Sequence, residues 1–134
     1  MPFTARQMYD LVNAVEGYPE FLPWCASAEV HARSETELHA TIVMAMGGVR
    51  HSLSTRNTMQ PGTTIALALI EGPFSDFGGL WRFTPRADTG CSVSLRMDFE
   101  FKSRLFGITL GKVFDRIANS MVAAFCKQAE RCYG

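Results

Sequence analysis

No apolar stretch in this chain approaches the ~18 residues that a membrane-crossing helix needs. Met1-Pro-Phe-Thr4 leads straight into a helix pattern, without the segments of a signal peptide. The expected location is the cytoplasm, with peripheral contact at the inner membrane as a further expectation. An excess of one charge is missing too. The 13 Lys and Arg match the 13 Asp and Glu, so nothing global attracts nucleic acid and DNA is not an expected partner. Cysteine is sparse, 4 residues with no Cys-x-x-Cys pair, and scattered intracellular thiols stay reduced as small apolar fillers. His31, His39 and His51 have no ligand spacing among themselves or with a cysteine, which argues against a metal site. Repeats, linkers and low-complexity tracts are absent.

What is present is core. A chain of 134 residues that is 47% hydrophobic and 19% charged can bury one core without staples, as a single domain over residues 1–134. Thr4-Ala-Arg-Gln7 has the form of a capping box, and Met8, Leu11, Val12 and Val15 continue it as an apolar helical stripe. From Ala28 the period becomes two. Cys91, Val93, Leu95, Met97, Phe99 and Phe101 make one dry strand face, Leu38, Ala40, Ile42, Met44 and Met46 a second, and Ile65, Leu67 and Leu69 a third. Gly47-Gly48, Pro61-Gly62 and Asp88-Thr89-Gly90 supply the turns between antiparallel neighbours. Strands are expected near 27–34, 37–46, 49–59, 63–71, 79–86 and 91–103. After Ser103 the helical period returns through Leu110, Val113, Phe114, Ile117, Met121, Ala124, Phe125 and Gln128, a helix of about 30 to 40 Å. The order implies an α+β domain whose curved antiparallel sheet wraps the last helix.

Between the first helix and the strands, Glu16-Gly-Tyr-Pro-Glu-Phe-Leu-Pro-Trp-Cys25 sets Tyr18, Phe21, Leu22 and Trp24 among Pro19 and Pro23. The segment is too apolar for an ordinary solvated loop, and it is either a core plug or a gate over an apolar cavity. Gly72-Pro-Phe-Ser-Asp-Phe-Gly-Gly79 reads as a loop. Phe74 and Phe77 either pin it to the core or form the opposite rim of the cavity. Its glycines are too irregular for a phosphate loop. Catalytic material is thin, and no residue is assigned a catalytic role. Glu71 ends a strand that is expected to be wet; Asp98 and Glu100 lie on a polar strand face; His51, Ser52, Ser54 and Thr55 are strand neighbours pointing alternately to opposite faces. Arg56 and Arg82 fit cross-strand salt bridges better than an anion site. Lys112, Arg116, Lys127 and Arg131, with Arg104, make the C-terminal helix locally basic, as a solvated face or as a contact for phosphates.

With those residues in view, the chain resembles the coenzyme-Q-binding family of START-like proteins, also named oligoketide cyclase or lipid-transport proteins, which includes bacterial ribosome association toxins. The resemblance lies in Pro2 to Val12 with Val15 to Cys25, Ser54-Thr-Arg-Asn57, Gly72-Pro-Phe74 with Gly79-x-Trp81-x-Phe83-x-Pro85, Asp98-Phe-Glu-Phe101, and Ala123-Ala-Phe125 through Tyr133-Gly134. It implies a helix-grip fold, with a seven-stranded sheet and an apolar tunnel under a long helix. The family's first edge strand would precede Pro2, so the expectation is either a truncated or misassigned start or a sheet of six strands that lacks it. Ser75 stands where relatives often carry lysine. The function implied is non-enzymatic binding of an isoprenoid lipid, above all a polyprenyl quinone such as ubiquinone, in support of respiratory quinone delivery. No cofactor is required. Met44, Met97, Phe99, Ile117, Met121 and Phe125 would line the tunnel with Trp81, and Tyr18, Phe21, Leu22, Trp24, Phe74 and Phe77 would gate it. The alternative implied by the same kinship is binding of the large ribosomal subunit, which blocks subunit joining, through Lys112, Arg116, Lys127 and Arg131. A third is polyketide-type cyclisation, which needs an acid or base inside the tunnel.

Overall fold

The computed structural model describes residues 2–46, 48–86 and 90–134, with the side chains of 46, 49 and 104–110 outside the description. The first helix, α1 (Ala5–Asn13), starts on the capping box expected from Thr4 and Gln7. The Gln7 amide donates to the Thr4 hydroxyl at 3.1 Å, and the Thr4 amide donates to the Gln7 side-chain oxygen at 2.9 Å. Ala5, Met8, Tyr9 and Val12 are its buried residues. The chain then tightens into a 3-10 turn over Val15–Glu20 that carries Pro19 inside it.

Six strands follow as one antiparallel sheet in sequence order. They are β1 (Cys25–Arg33), β2 (Glu37–Met46), β3 (Val49–Gln60), β4 (Thr64–Glu71), β5 (Phe74–Pro85) and β6 (Cys91–Phe101). The glycine turns act as expected where they are described. Gly48 and Gly62 have φ of 79° and 75°, the left-handed region that only glycine enters without a Cβ penalty. Gly47, Asp88 and Thr89 lie outside the described residues. Register shifts within β1, at Ser54/Thr55 and at Phe74/Asp76 mark bulges, which bend strands and add twist. They curve the sheet toward one face.

One boundary differs from the sequence reading. β5 begins at Phe74, so most of the segment read as a loop over 72–79 is strand. Gly79 pairs with Leu67 on one side and Met97 on the other. A Cβ there would stand 3.2 Å from both the Arg96 carbonyl and a Leu67 methyl. The glycine permits close approach between strands, which is a different use from a turn.

The concave face is covered by α2 (Arg104–Tyr133), 30 residues and about 45 Å long. Phe114, Ile117, Met121, Phe125 and Ala129 are its described buried positions, and their spacing of three and four turns one stripe toward the sheet. Two hydrophobic clusters lie beneath it. The larger joins α1, the 3-10 turn, Trp81, Phe83 and the C-terminal half of α2. The smaller joins Phe114 and Ile117 to Met44, Leu53, Phe74 and Phe77.

Candidate ligand-binding cavity

Where the two clusters meet, packing is incomplete. An apolar cavity of ≈ 70 Å³ lies there, its wall drawn from the α1 and 3-10 junction, β2 to β6 and α2. Of the residues singled out in the sequence, Tyr18, Trp24, Met44, Phe77, Trp81, Met97, Ile117 and Met121 line it. The other five are in the core behind the wall. Phe21 packs edge-on against Phe125, with ring centroids 5.2 Å apart, and Phe125 meets Tyr18 and Trp81 at 5.2 and 5.3 Å. Leu22 and Phe74 are 1% and 0% exposed and are packed into the core. Phe99 backs the wall through Phe114, 4.5 Å away.

Sequence periodicity missed part of this wall. Val12 and Val15 were placed on an apolar stripe, but nothing in their spacing says they meet β3. Leu53, Thr55 and Asn57 alternate on β3 and all reach the cavity. Their mixed polarity hides the alternation that marks β6. Asn57 is the one buried polar or charged residue among those described, at 6% exposure. Its side-chain oxygen accepts a hydrogen bond from the Thr55 hydroxyl at 3.0 Å.

Among the described residues, the wall contains no Asp, Glu, His, Lys or Arg. Its most acidic group is the Tyr18 phenol, which burial pushes far above its ordinary range and which donates to the Val12 carbonyl. That phenol remains protonated and holds the 3-10 turn on α1. Glu71, Asp98 and Glu100 are exposed and outside the wall. His31 and His39 lie at the far side of the sheet, with rings 4.9 Å apart and His31 Nε2 2.8 Å from the Thr41 hydroxyl. General acid-base chemistry therefore has no described side chain in the cavity to carry it. Burial also raises the thiol pKa of Cys25, Cys91 and Cys126, and all four cysteines are free. Burial thus holds Cys25, Cys91 and Cys126 in the unreactive neutral form.

Outside the cavity, Lys112, Arg116, Lys127 and Arg131 are all exposed. At 100° per residue they fall within one face of α2, opposite the buried stripe. None of the four forms an ion pair among the described residues. The side chain of Arg104 lies outside the described residues. No described helix is long and apolar enough to cross a membrane.

A curved antiparallel sheet gripping a long C-terminal helix over an apolar cavity defines the START-like, helix-grip class of proteins. The Zhui aromatase/cyclase from Streptomyces sp. R1128 has this fold, with a TM-score of 0.85 at 18% identity over 97% of this chain and 88% of that one. Residues 1–126 match the family described as polyketide cyclase / dehydrase and lipid transport, and the chain belongs to that family. It is 40% identical to the ribosome association toxin RatA of Pseudomonas aeruginosa over 100% of this chain and 93% of the relative. It is 32% identical to the mitochondrial coenzyme Q-binding protein COQ10 homolog B of Xenopus laevis, over 98% of this chain and 56% of that protein.

Proposed function

We propose that this protein is a binding module for a hydrophobic isoprenoid lipid, a polyprenyl quinone first among them, and that it serves quinone delivery or respiratory quinone function. The observation that carries the reading is the cavity wall: apolar, uncharged among the described residues and placed between the sheet and the helix where the two hydrophobic clusters meet. The family description includes lipid transport, and one relative is named for coenzyme Q binding. The absence of acid-base groups from the described wall favours binding over cyclisation. Burying about 300 Å² of isoprenoid is worth roughly 7 kcal/mol before the costs of association. Size sets a condition on this. A cavity of about 150 Å³ holds benzene, so ≈ 70 Å³ must widen to admit a quinone ring. Met44, Met97 and Met121 in the wall are the side chains that can yield, because unbranched thioethers repack at low cost.

The 2 tryptophans of the chain, Trp24 and Trp81, both line the cavity. A short-chain ubiquinone analogue should therefore quench their emission in a saturable, one-to-one titration. Linear, non-saturating quenching that equals the quenching of free tryptophan would remove the cavity as the site.

A second reading has its own support. The close relatives named ribosome association toxin and the exposed basic face of α2 favour association with the ribosome, a reading with which a cytoplasmic location agrees. Charge reversal at Lys112, Arg116, Lys127 and Arg131 should abolish cosedimentation with the large subunit, and wild-type binding should weaken steeply between 50 and 200 mM salt, on the order of the loss expected for several phosphate contacts. Cosedimentation that is indifferent to both changes would reject this contact.

A further inference from the structure

The cavity wall holds one polar feature that packing does not explain. Asn57 sits in the middle of the sheet, paired with Leu38 on β2 and Leu67 on β4, and is 6% exposed. Thr55, two residues earlier and so on the same face, donates its hydroxyl proton to the Asn57 side-chain oxygen at 3.0 Å. That bond fixes which end of the amide is committed. Among the described residues, none accepts a hydrogen bond from the Asn57 side-chain nitrogen, although both residues line the cavity. A leucine would fill the same place and leave no amide donor to satisfy.

We propose that Asn57 is the ligand-reading residue of this cavity, and that its amide N–H donates to the carbonyl oxygen of a neutral lipid, with Thr55 as the residue that positions it. The proposal rests on reading the cavity as a lipid site and adds what that site selects. Charge is disfavoured, because among the described residues of the wall none is charged and could pair with a buried carboxylate or phosphate. The polarity of the ligand is also set. The indoles of Trp24 and Trp81 in the wall can only donate, while the Tyr18 oxygen, its proton committed to the Val12 carbonyl, is left only to accept. A ligand that meets the Asn57 nitrogen or an indole must therefore accept. Quinones, ketones and esters qualify, whereas hydrocarbons satisfy the apolar wall and leave Asn57 unpaired.

The test compares two probes of similar length, decylubiquinone, which carries ring carbonyls, and decylbenzene, which has none. Each Kd is taken from the ligand-dependent rise in Tm followed by circular dichroism. The ratio of the two affinities is the readout, since a merely structural change moves both probes together. Wild type should prefer the quinone. Asn57→Leu should weaken the quinone roughly 2- to 10-fold, the equivalent of one net hydrogen bond, and leave decylbenzene as tight or tighter. Thr55→Val, which keeps the side-chain volume, should lower the ratio in the same direction by less, and it covers the case in which Asn57→Leu folds poorly. Equal shifts for both probes, or no shift for either, in the variants would overturn the role of Asn57 while leaving the cavity reading intact. A wild-type Tm that neither probe raises would overturn the cavity reading and this assignment with it.

Discussion

The two ends of the helix-sheet sandwich are built differently. At the C-terminal end of α2, Phe125 is fully buried among Tyr18, Phe21 and Trp81, and polar anchors lock the surrounding pieces in place. Tyr18 is bonded to Val12, and Tyr133 donates to the Gln7 carbonyl at 3.2 Å. Arg33 clasps Glu16 and the Asn13 carbonyl. The other end, around Phe114, is an aromatic stack of Phe74, Phe77, Phe99 and Phe101 joined by Met44 and Leu53. Dispersion and ring packing hold it. Directional bonds fix one arrangement, while apolar contacts among adaptable side chains permit several. The comparison fits a first end that holds the fold and, under the proposed lipid-binding function, a second end that yields.

The largest effect should come from breaking the locked end. Phe125→Ala leaves a cavity between three aromatic rings and should cost about 3–5 kcal/mol, on the order of 10–20 °C in Tm by thermal denaturation. Phe114→Ala at the other end should also destabilise. It opens the cavity wall, however, so quinone uptake per folded molecule should rise. Unchanged uptake in Phe114→Ala would erase the distinction between the ends.

Next in size is Tyr18→Phe, which leaves the buried Val12 carbonyl without its donor and should cost about 1–3 kcal/mol in urea titrations. Its pH dependence has a definite sign. The folded-state pKa of Tyr18 is raised above the ordinary 10.0, so its contribution is complete below pH 10.0 and is lost as the unfolded chain ionises above it. Wild type should lose stability more steeply than Tyr18→Phe in that alkaline range.

Ala118→Leu sharpens the comparison from the binding side. Ala118 lines the cavity on α2, and leucine is nearly as good a helix former as alanine. Stability should change by no more than about 1 kcal/mol, as burial offsets crowding, while quinone affinity should fall at least ~10-fold. The smallest effect is expected at the Arg33–Glu16 pair, whose side chains are 40% and 50% exposed. Arg33→Gln should cost only a few tenths of a kcal/mol at neutral pH. The Arg33 hydrogen bonds hold the Glu16 carboxyl below its ordinary pKa, so the pair's contribution is present above that ordinary value. The difference between Arg33→Gln and wild type should disappear as acid protonates Glu16 in the folded state.

The fold was legible wherever one physical pattern dominated. The capping box placed the start of α1, strict alternation placed β6, and Pro61-Gly62 placed the turn before β4. The segment from Phe74 to Gly79 was misread because glycine has two uses, and only the partner strands show that Gly79 serves close approach. The cavity was legible in type and less so in membership. Alternation tells which face a residue takes, but it cannot tell how deep along the sheet that residue lies. Phe99 and Met97 share a face, yet Met97 reaches the cavity and Phe99 stands behind Phe114. Asn57 was legible in the Ser54-Thr-Arg-Asn57 motif but not as a cavity residue, because a polar residue in a mixed strand reads as solvated until its burial is seen.

The most direct test is the lipid the protein carries. Wild type and Ala118→Leu should be purified in parallel from the same cells without detergent, extracted with organic solvent and compared by mass spectrometry. The account predicts a stoichiometric neutral polyprenyl lipid in wild type and a several-fold smaller amount in the variant. Equal recovery from both proteins, or a charged phospholipid as the stoichiometric species, would contradict it.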